Sequence, residues 1–208
     1  MKFIKSVFIL ASMAKFRIEN NKLEIDKKIT KLDEFVLETV GIVNRHAHNV
    51  IIGGYISIFF GRARATEDVD IFIEKIDYGS FSEMFDEFTS KNFEFNIEDK
   101  KSLHKDYLTH GLPVNVWRKN FPLLRLEIKF AIKESQKKAF EKPFSAIFGG
   151  KELVFARIES QIAYKRYILK SEKDLEDARH LEIVFGGLDK NLIQKYKKEF
   201  EYGLEHDK

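Results

Sequence analysis

The chain has 208 residues, 44% of them apolar and 33% charged, with a net charge of +3. That length suits one large domain or two small ones with a real core, and the composition points to a soluble globular chain rather than a disordered or membrane-embedded one. So small a positive charge does not by itself announce a nucleic-acid binder, while the absence of cysteine removes disulfides and thiolate zinc sites and makes a reducing compartment, the cytoplasm, the expected location.

The opening segment "MKFIKSVFILASMAKF" has a basic start, an apolar run from Val7 to Ala14 and a Ser-Met-Ala end that mimics a cleavage site. The run is too short to span a bilayer, so a helix or strand packed on the domain is expected, with Met13 as an alternative start. After a polar turn at Asn20-Asn21, apolar residues at Leu32, Phe35, Val36, Val40 and Val43 make a helical stripe, and Asp33 and Glu34 suit its positive N-terminal end. "NVIIGG" reads as a buried strand closed by glycines, "YISIFFGRA" as a short apolar helix and "DVDIFIEK" as a second strand. On that strand Asp68, Asp70 and Phe72 share one face, and Val69, Ile71 and Ile73 the other.

"FSEMFDEFTSKNF" predicts an amphipathic helix with Phe81, Met84, Phe85 and Phe88 on one side. From "EFNIEDKK" to "LPVNVWRKNFPLLRLEIKFA" strands and turns are expected, ending in a strand that carries Glu127. "KESQKKAFEKPFSAIFGGKELVFA" mixes helical, turn and strand pieces, and from Arg157 onward the chain reads as helices broken at Gly186-Gly187. The expected architecture is an α/β (α+β) domain, a mixed sheet flanked by helices over residues 1–155, with a helical region over 156–208 packed on it. Lys190, Lys195, Lys197 and Lys198 read more simply as the solvated side of the last helix than as an RNA contact.

Chemistry concentrates in the first half. A strand ending in Gly53-Gly54 and running into a helix lets backbone N–H groups approach a phosphate, though a tight strand-to-helix turn explains the same pair. Asp68 and Asp70 project from one face of an apolar strand, an arrangement that suits two carboxylates bridging divalent ions; a solvated edge strand is the alternative. Glu127 is the best third acid, although Arg125 and Lys129 on its own face also fit a surface ladder of alternating charge. His46 and His48 read as ordinary surface residues, and His104 and His110 lack partners at metal-site spacing. No Gly-x-Ser-x-Gly elbow, Walker loop or Rossmann fingerprint is present.

The pattern Ile52-Gly53-Gly54, a spacer, then Asp68-Val69-Asp70-Ile71 resembles the signature of the DNA polymerase β-like nucleotidyltransferase superfamily, and Arg64 and Thr66 resemble its Arg-x-Thr ahead of the acidic pair. Downstream, "RLEIKFA" and "GGKELVFARIESQIAYKRYILKSEKDLEDARHL" are similar to the abortive-infection (AbiEii-type) toxin branch, the likeness running from about residue 35 to 185. The resemblance implies Mg²⁺, two ions, on Asp68, Asp70 and Glu127, and an NTP as substrate. It further implies a nucleotide site of Gly53, Gly54, Arg64, Thr66, Lys165 and Asp174, with Asp177 helping to orient the substrates. Two departures stand: the third acid is Glu127 where the family mostly has aspartate, and Ser171-Glu172 stand where many relatives have a basic residue. The segment "SEKDLEDARHLEIVF" also has a structural reading, with Ser171 as cap, Asp174 in the first turn and Lys173 paired with Asp177.

The expected function is transfer of a nucleotidyl group from an NTP to an acceptor hydroxyl on tRNA, protein or a small molecule, with no membrane partner. The implied setting is a toxin–antitoxin pair, and the alternative is a non-catalytic protein of the same fold that binds a cognate toxin or antitoxin.

Overall fold

The computed structural model describes residues 15–19 and 22–206. Its strands are β1 (Lys15–Glu19), β2 (Lys22–Asp26), β3 (Asn49–Ile52), β4 (Asp68–Ile73), β5 (Phe93–Phe95), β6 (Val114–Arg118), β7 (Phe121–Phe130), β8 (Phe144–Phe148) and β9 (Lys151–Phe155). Its helices are α1 (Lys31–Val43), α2 (Gly54–Phe59), α3 (Tyr78–Ser90), α4 (Lys100–Ser102), α5 (Glu134–Lys137), α6 (Ile158–Ala163), α7 (Glu172–Val184) and α8 (Lys190–His206). The expected opening element lies, up to residue 14, outside the described residues.

The described strands form one mixed sheet in the order β1-β2-β8-β9-β3-β4-β7-β6-β5. At its centre β4 runs antiparallel to β3 and parallel to β7. Alternation decides which face each side chain takes: Val69, Ile71 and Ile73 enter the core, while Asp68, Asp70 and Phe72 face the other way. Leu126, Ile128 and Phe130 of β7, with Val114 and Val116 of β6, extend the buried face. On the opposite face Val50, Ala139 and Ala156 form a small second cluster with Ile52 and Phe72 against its edge. That cluster covers one end of the face and leaves the acidic end of β4 open.

Local chemistry fixes the helices around this sheet. Thr30 caps α1 in a capping box with Asp33, whose buried carboxylate also accepts from Tyr55 Oη and Lys27 Nζ, each at 2.8 Å. The Tyr55 bond ties α1 to the first turn of α2, just past the glycine pair. Ile158, Ile162, Leu181, Ile193 and Phe200 belong to the same core cluster as Val69 and Ile71, so the helices after residue 155 share the core of the sheet. Lys190, Lys195 and Lys198 lie on the exposed side of α8, opposite buried Ile193, Tyr196 and Phe200.

One segment departs from expectation. Residues 100–110 are helical rather than strand and turn, with Asp99 capping α4 and a wider five-residue turn following it. Its buried apolar residues, Leu103 and Leu108, are five apart, a spacing that hides the usual 3.6-residue period.

Candidate active site

β3 ends at Ile52, and Gly53 adopts φ +75°, a left-handed value that glycine takes without strain. A Cβ at Gly53 would stand 2.6 Å from Asp70 Oδ2, so the turn runs directly against that carboxylate. At Gly54 a Cβ would overlap Arg64 Nη2. The two glycines thus make room for an acid and for a cation. The Gly53 N–H is itself used, donating to Gln161 Oε1 at 3.0 Å and clipping the turn to α6.

Parallel pairing sets Asp68 beside Arg125, Asp70 beside Glu127 and Phe72 beside Lys129. Such partners share a face, so the three predicted acids stand together. Burial, then contact with the Glu127 carboxyl, pushes Asp70 up to about 7, with the charge of Asp68 adding to the rise and Lys129 opposing it. Asp68 is 46% exposed and its Oδ1 accepts from Arg125 Nε at 2.8 Å, while Lys129 Nζ donates to Glu127. Glu127 thus stands in a ladder of alternating charge and also abuts the acid pair.

As the side chains stand, no three histidine or acidic groups among the described residues close on one point as a metal cage. The chemistry of the donor set still fits a hard divalent cation. It is made of carboxylate oxygens on two adjacent strands, and their mutual repulsion, visible in Asp70, is what a cation relieves. Arg125 and Lys129 bond the outer two carboxylates.

The expected phosphate contacts divide. Lys165 is 2% exposed, with Nζ 2.8 Å from Asp177 Oδ2 and 3.5 Å from Asp174 Oδ1, so two carboxylates already meet its charge. Arg62 joins the same cluster through Asp177, through Glu176 and through the Lys173 carbonyl at 2.8 Å. Arg64 is different. Its Nε lies 3.2 Å from Asp177 Oδ1, near enough for an ion pair but without hydrogen-bond geometry, and its Nη groups lie against Gly54 with no acceptor among the described residues. Thr66 Oγ1 donates to the Asp68 carbonyl at 2.9 Å and shapes the entry to β4.

Ser171 caps α7 and bonds Asp174 as the structural reading expects. The expected Lys173–Asp177 pair does not form: Asp177 is fully buried and answers Lys165, Arg62 and Arg64 instead, because the α7 side that carries it packs inward. His46 and His48 turn to separate carboxylates, His46 lying 2.8 Å from Glu87 and the exposed His48 3.4 Å from Glu74.

Beside the acids an open cleft of about 450 Å³ is lined by Asp68, Asn96, Asn115, Trp117, Arg125 and Glu127. Sequence reasoning passed over Asn96, Asn115 and Trp117, as well as Gln161 and Arg62. The available signal was the alternation of "VNVW", which sends a tryptophan to the polar side of its strand.

No protein-family model matches the chain, and a search of curated proteins finds no significant match. Solved structures do resemble it. The solution structure of the antibiotic-resistance factor ANT(2″)-Ia aligns with a TM-score of 0.53 at 15% identity, over 84% of this chain and 95% of that one. The crystal structure of ANT(2″)-Ia in complex with adenylyl-2″-tobramycin gives 0.54 at 14%, over 84% and 98%. An antigenic nucleotidyltransferase-like protein from Paracoccidioides brasiliensis gives 0.51 at 15%, over 84% and 92%. The fold is that of a nucleotidyltransferase. Within it the paired acids of β4, the Gly53-Gly54 turn and the open cleft lie side by side.

Proposed function

We propose that the protein is a Mg²⁺-dependent nucleotidyltransferase that joins a nucleotidyl group from an NTP to an acceptor hydroxyl. The observation that carries this reading is the position of Asp70, its carboxyl held between the Gly53 turn and the carboxyl of Glu127 with Asp68 on the same face. Glu127 lies on the same side of the sheet as the aspartates, one of the two conditions, with reach of a shared metal, that separate this reading from a binding protein without catalysis. The fold likeness to ANT(2″)-Ia, which was solved with a nucleotidylated small molecule, supports the same reaction class.

Asp68, Asp70 and Glu127 would hold Mg²⁺, as two ions, which when bound offsets the charge of the triphosphate and favours ionisation of the acceptor hydroxyl. The free Nη groups of Arg64, lying over Gly54, bind a phosphate oxygen and orient the donor against the glycine turn. Lys165 and Asp174 act one step back, holding the Asp177 cluster on which Arg64 rests. The acceptor oxygen forms its bond to the α-phosphorus as the bond to the bridging oxygen breaks, the electron pair leaving with pyrophosphate. Glu127 takes the hydroxyl proton. Positioning and charge stabilisation account for most of the acceleration in such chemistry.

The test is incubation with each α-labelled NTP, Mg²⁺ and acceptor pools of small molecules, total RNA and cell protein, with Asp70→Asn alongside. Label should move to one pool and be lost in the variant. NTP binding without transfer to any pool would favour the rival, a binding protein on the same fold that partners a toxin or antitoxin.

A further inference from the structure

Sheet order separates two sides of the acids. The Gly53-Gly54 turn and Arg64 belong to the β3 side of β4, whereas the open cleft spreads over β7, β6 and β5 on the other side. In-line displacement needs exactly such a division, with the leaving pyrophosphate and the attacking hydroxyl opposed across the transferred phosphorus. Resting on the nucleotidyltransferase reading, we propose that this cleft is the acceptor subsite, with Trp117 as its stacking platform and Asn96 and Asn115 as its hydrogen-bonding wall. Its occupant is a small hydroxyl-bearing ring compound, neutral or cationic.

Trp117 is the only tryptophan of the chain and stands on the open side of β6, following Val116, which enters the core. Among the described residues its ring makes no aromatic or cation–π contact and its indole N–H meets no acceptor. A large ring left uncommitted on a sheet face has its flat surface free for a ligand. Register sets Asn115 directly beside Glu127, and Trp117 beside Arg125, which in turn stands beside Asp68. Asn96 Oδ1 accepts from the Asn115 N–H at 2.9 Å, which leaves the Asn96 amino group and the whole Asn115 amide available. Such carboxamides bond hydroxyl and amine groups in either sense.

Size and charge select the occupant. A cleft of about 450 Å³ is the scale of a small-molecule site. In its lining Arg125 is bonded to Asp68 and Glu67, and Glu127 is bonded by Lys129. Glu94 stands opposite Trp117 on β5. A polyanionic nucleic acid, which gains its affinity from unpaired lysine and arginine, finds none in this lining.

Because Trp117 is unique, its indole signal in NMR or fluorescence reports this cleft alone. The full-length protein with Mg²⁺ and a non-hydrolysable NTP analogue is titrated at millimolar levels with tobramycin, glucosamine, methyl glucoside, glucose 6-phosphate and a short single-stranded RNA ending in a free 3′-hydroxyl. The amino compounds should shift the indole saturably, methyl glucoside less, and glucose 6-phosphate and the RNA least. Trp117→Ala should weaken binding of the amino compounds roughly tenfold by ligand-observed NMR, with Trp117→Phe recovering part of it. Calorimetry of the NTP analogue separates two failures. Loss of NTP binding in the parent protein would sink the nucleotidyltransferase reading. Normal NTP binding with no ring compound shifting the indole, or with the RNA shifting it best, would overturn only the acceptor assignment.

Discussion

At Asp70 burial, contact with Glu127 and the charge of Asp68 raise the carboxyl from 3.8 to about 7, against partial opposition from Lys129. A carboxyl raised on folding favours the protonated form in the native state. Its stabilising contribution is therefore complete below pH 3.8 and disappears as pH rises through about 7. Asp70→Asn keeps the neutral form at every pH. In the presence of a chelator its Tm should match the parent's in acid, pull ahead between those two values and hold a constant lead above them. Adding Mg²⁺ above pH 7 should raise the Tm of the parent and not that of the variant, since the cation needs the ionised acid. A flat Tm difference across the whole range would mean that Asp70 is not crowded by its neighbours.

At the scale of elements, the β3–α2 turn offers a contrast between two adjacent glycines. Gly53→Ala demands a left-handed alanine with its Cβ against Asp70, so both stability and magnesium response should fall, the former by about 1–2 kcal/mol in denaturant titration. Gly54→Ala meets only the flexible end of Arg64. It should cost little stability while raising the KM for NTP, and an unchanged KM would remove Arg64 from the donor site. The turn and both flanking elements were legible in the sequence because two-residue alternation and paired glycines are local signals, and so was the shared face of Asp68 and Asp70. Which strand lies beside β4 is not local. The contact between Asp70 and Glu127, 57 residues further on, depends on β7 pairing in parallel and in one register. Trp117 escaped notice for the same reason, since its strand pattern was visible but its neighbours were not. Asp177 misled because a helical acid four residues after a lysine looks like a surface pair until the packing of α7 is known.

Across the whole molecule, the buried cluster of Lys165, Asp174, Asp177 and Arg62 joins the helices after residue 155 to the loop that follows α2. Removing one partner leaves the others charged and dry. Asp177→Ala should therefore cost about 3–5 kcal/mol by chemical denaturation, whereas Glu176→Ala, at the rim, should cost under about 1 kcal/mol. The sheet that this cluster braces is less uniform than its strand order suggests. β4 and β7 are in register over six consecutive pairs, but β3 and β9 meet at the single pair Ile51–Phe155, reinforced by the Ala156 N–H on the Ile51 carbonyl at 2.9 Å. Phe155 bridges that seam through its ring, stacking on Phe144 and tilting against Phe59. Deuterium uptake should accordingly divide the sheet into two populations, with amides of β8 and β9 exchanging through a shared sub-global opening while those of β4 and β7 wait for complete unfolding. The strands that carry the three acids then sit on the slow-exchanging side, insulated from the breathing of the other.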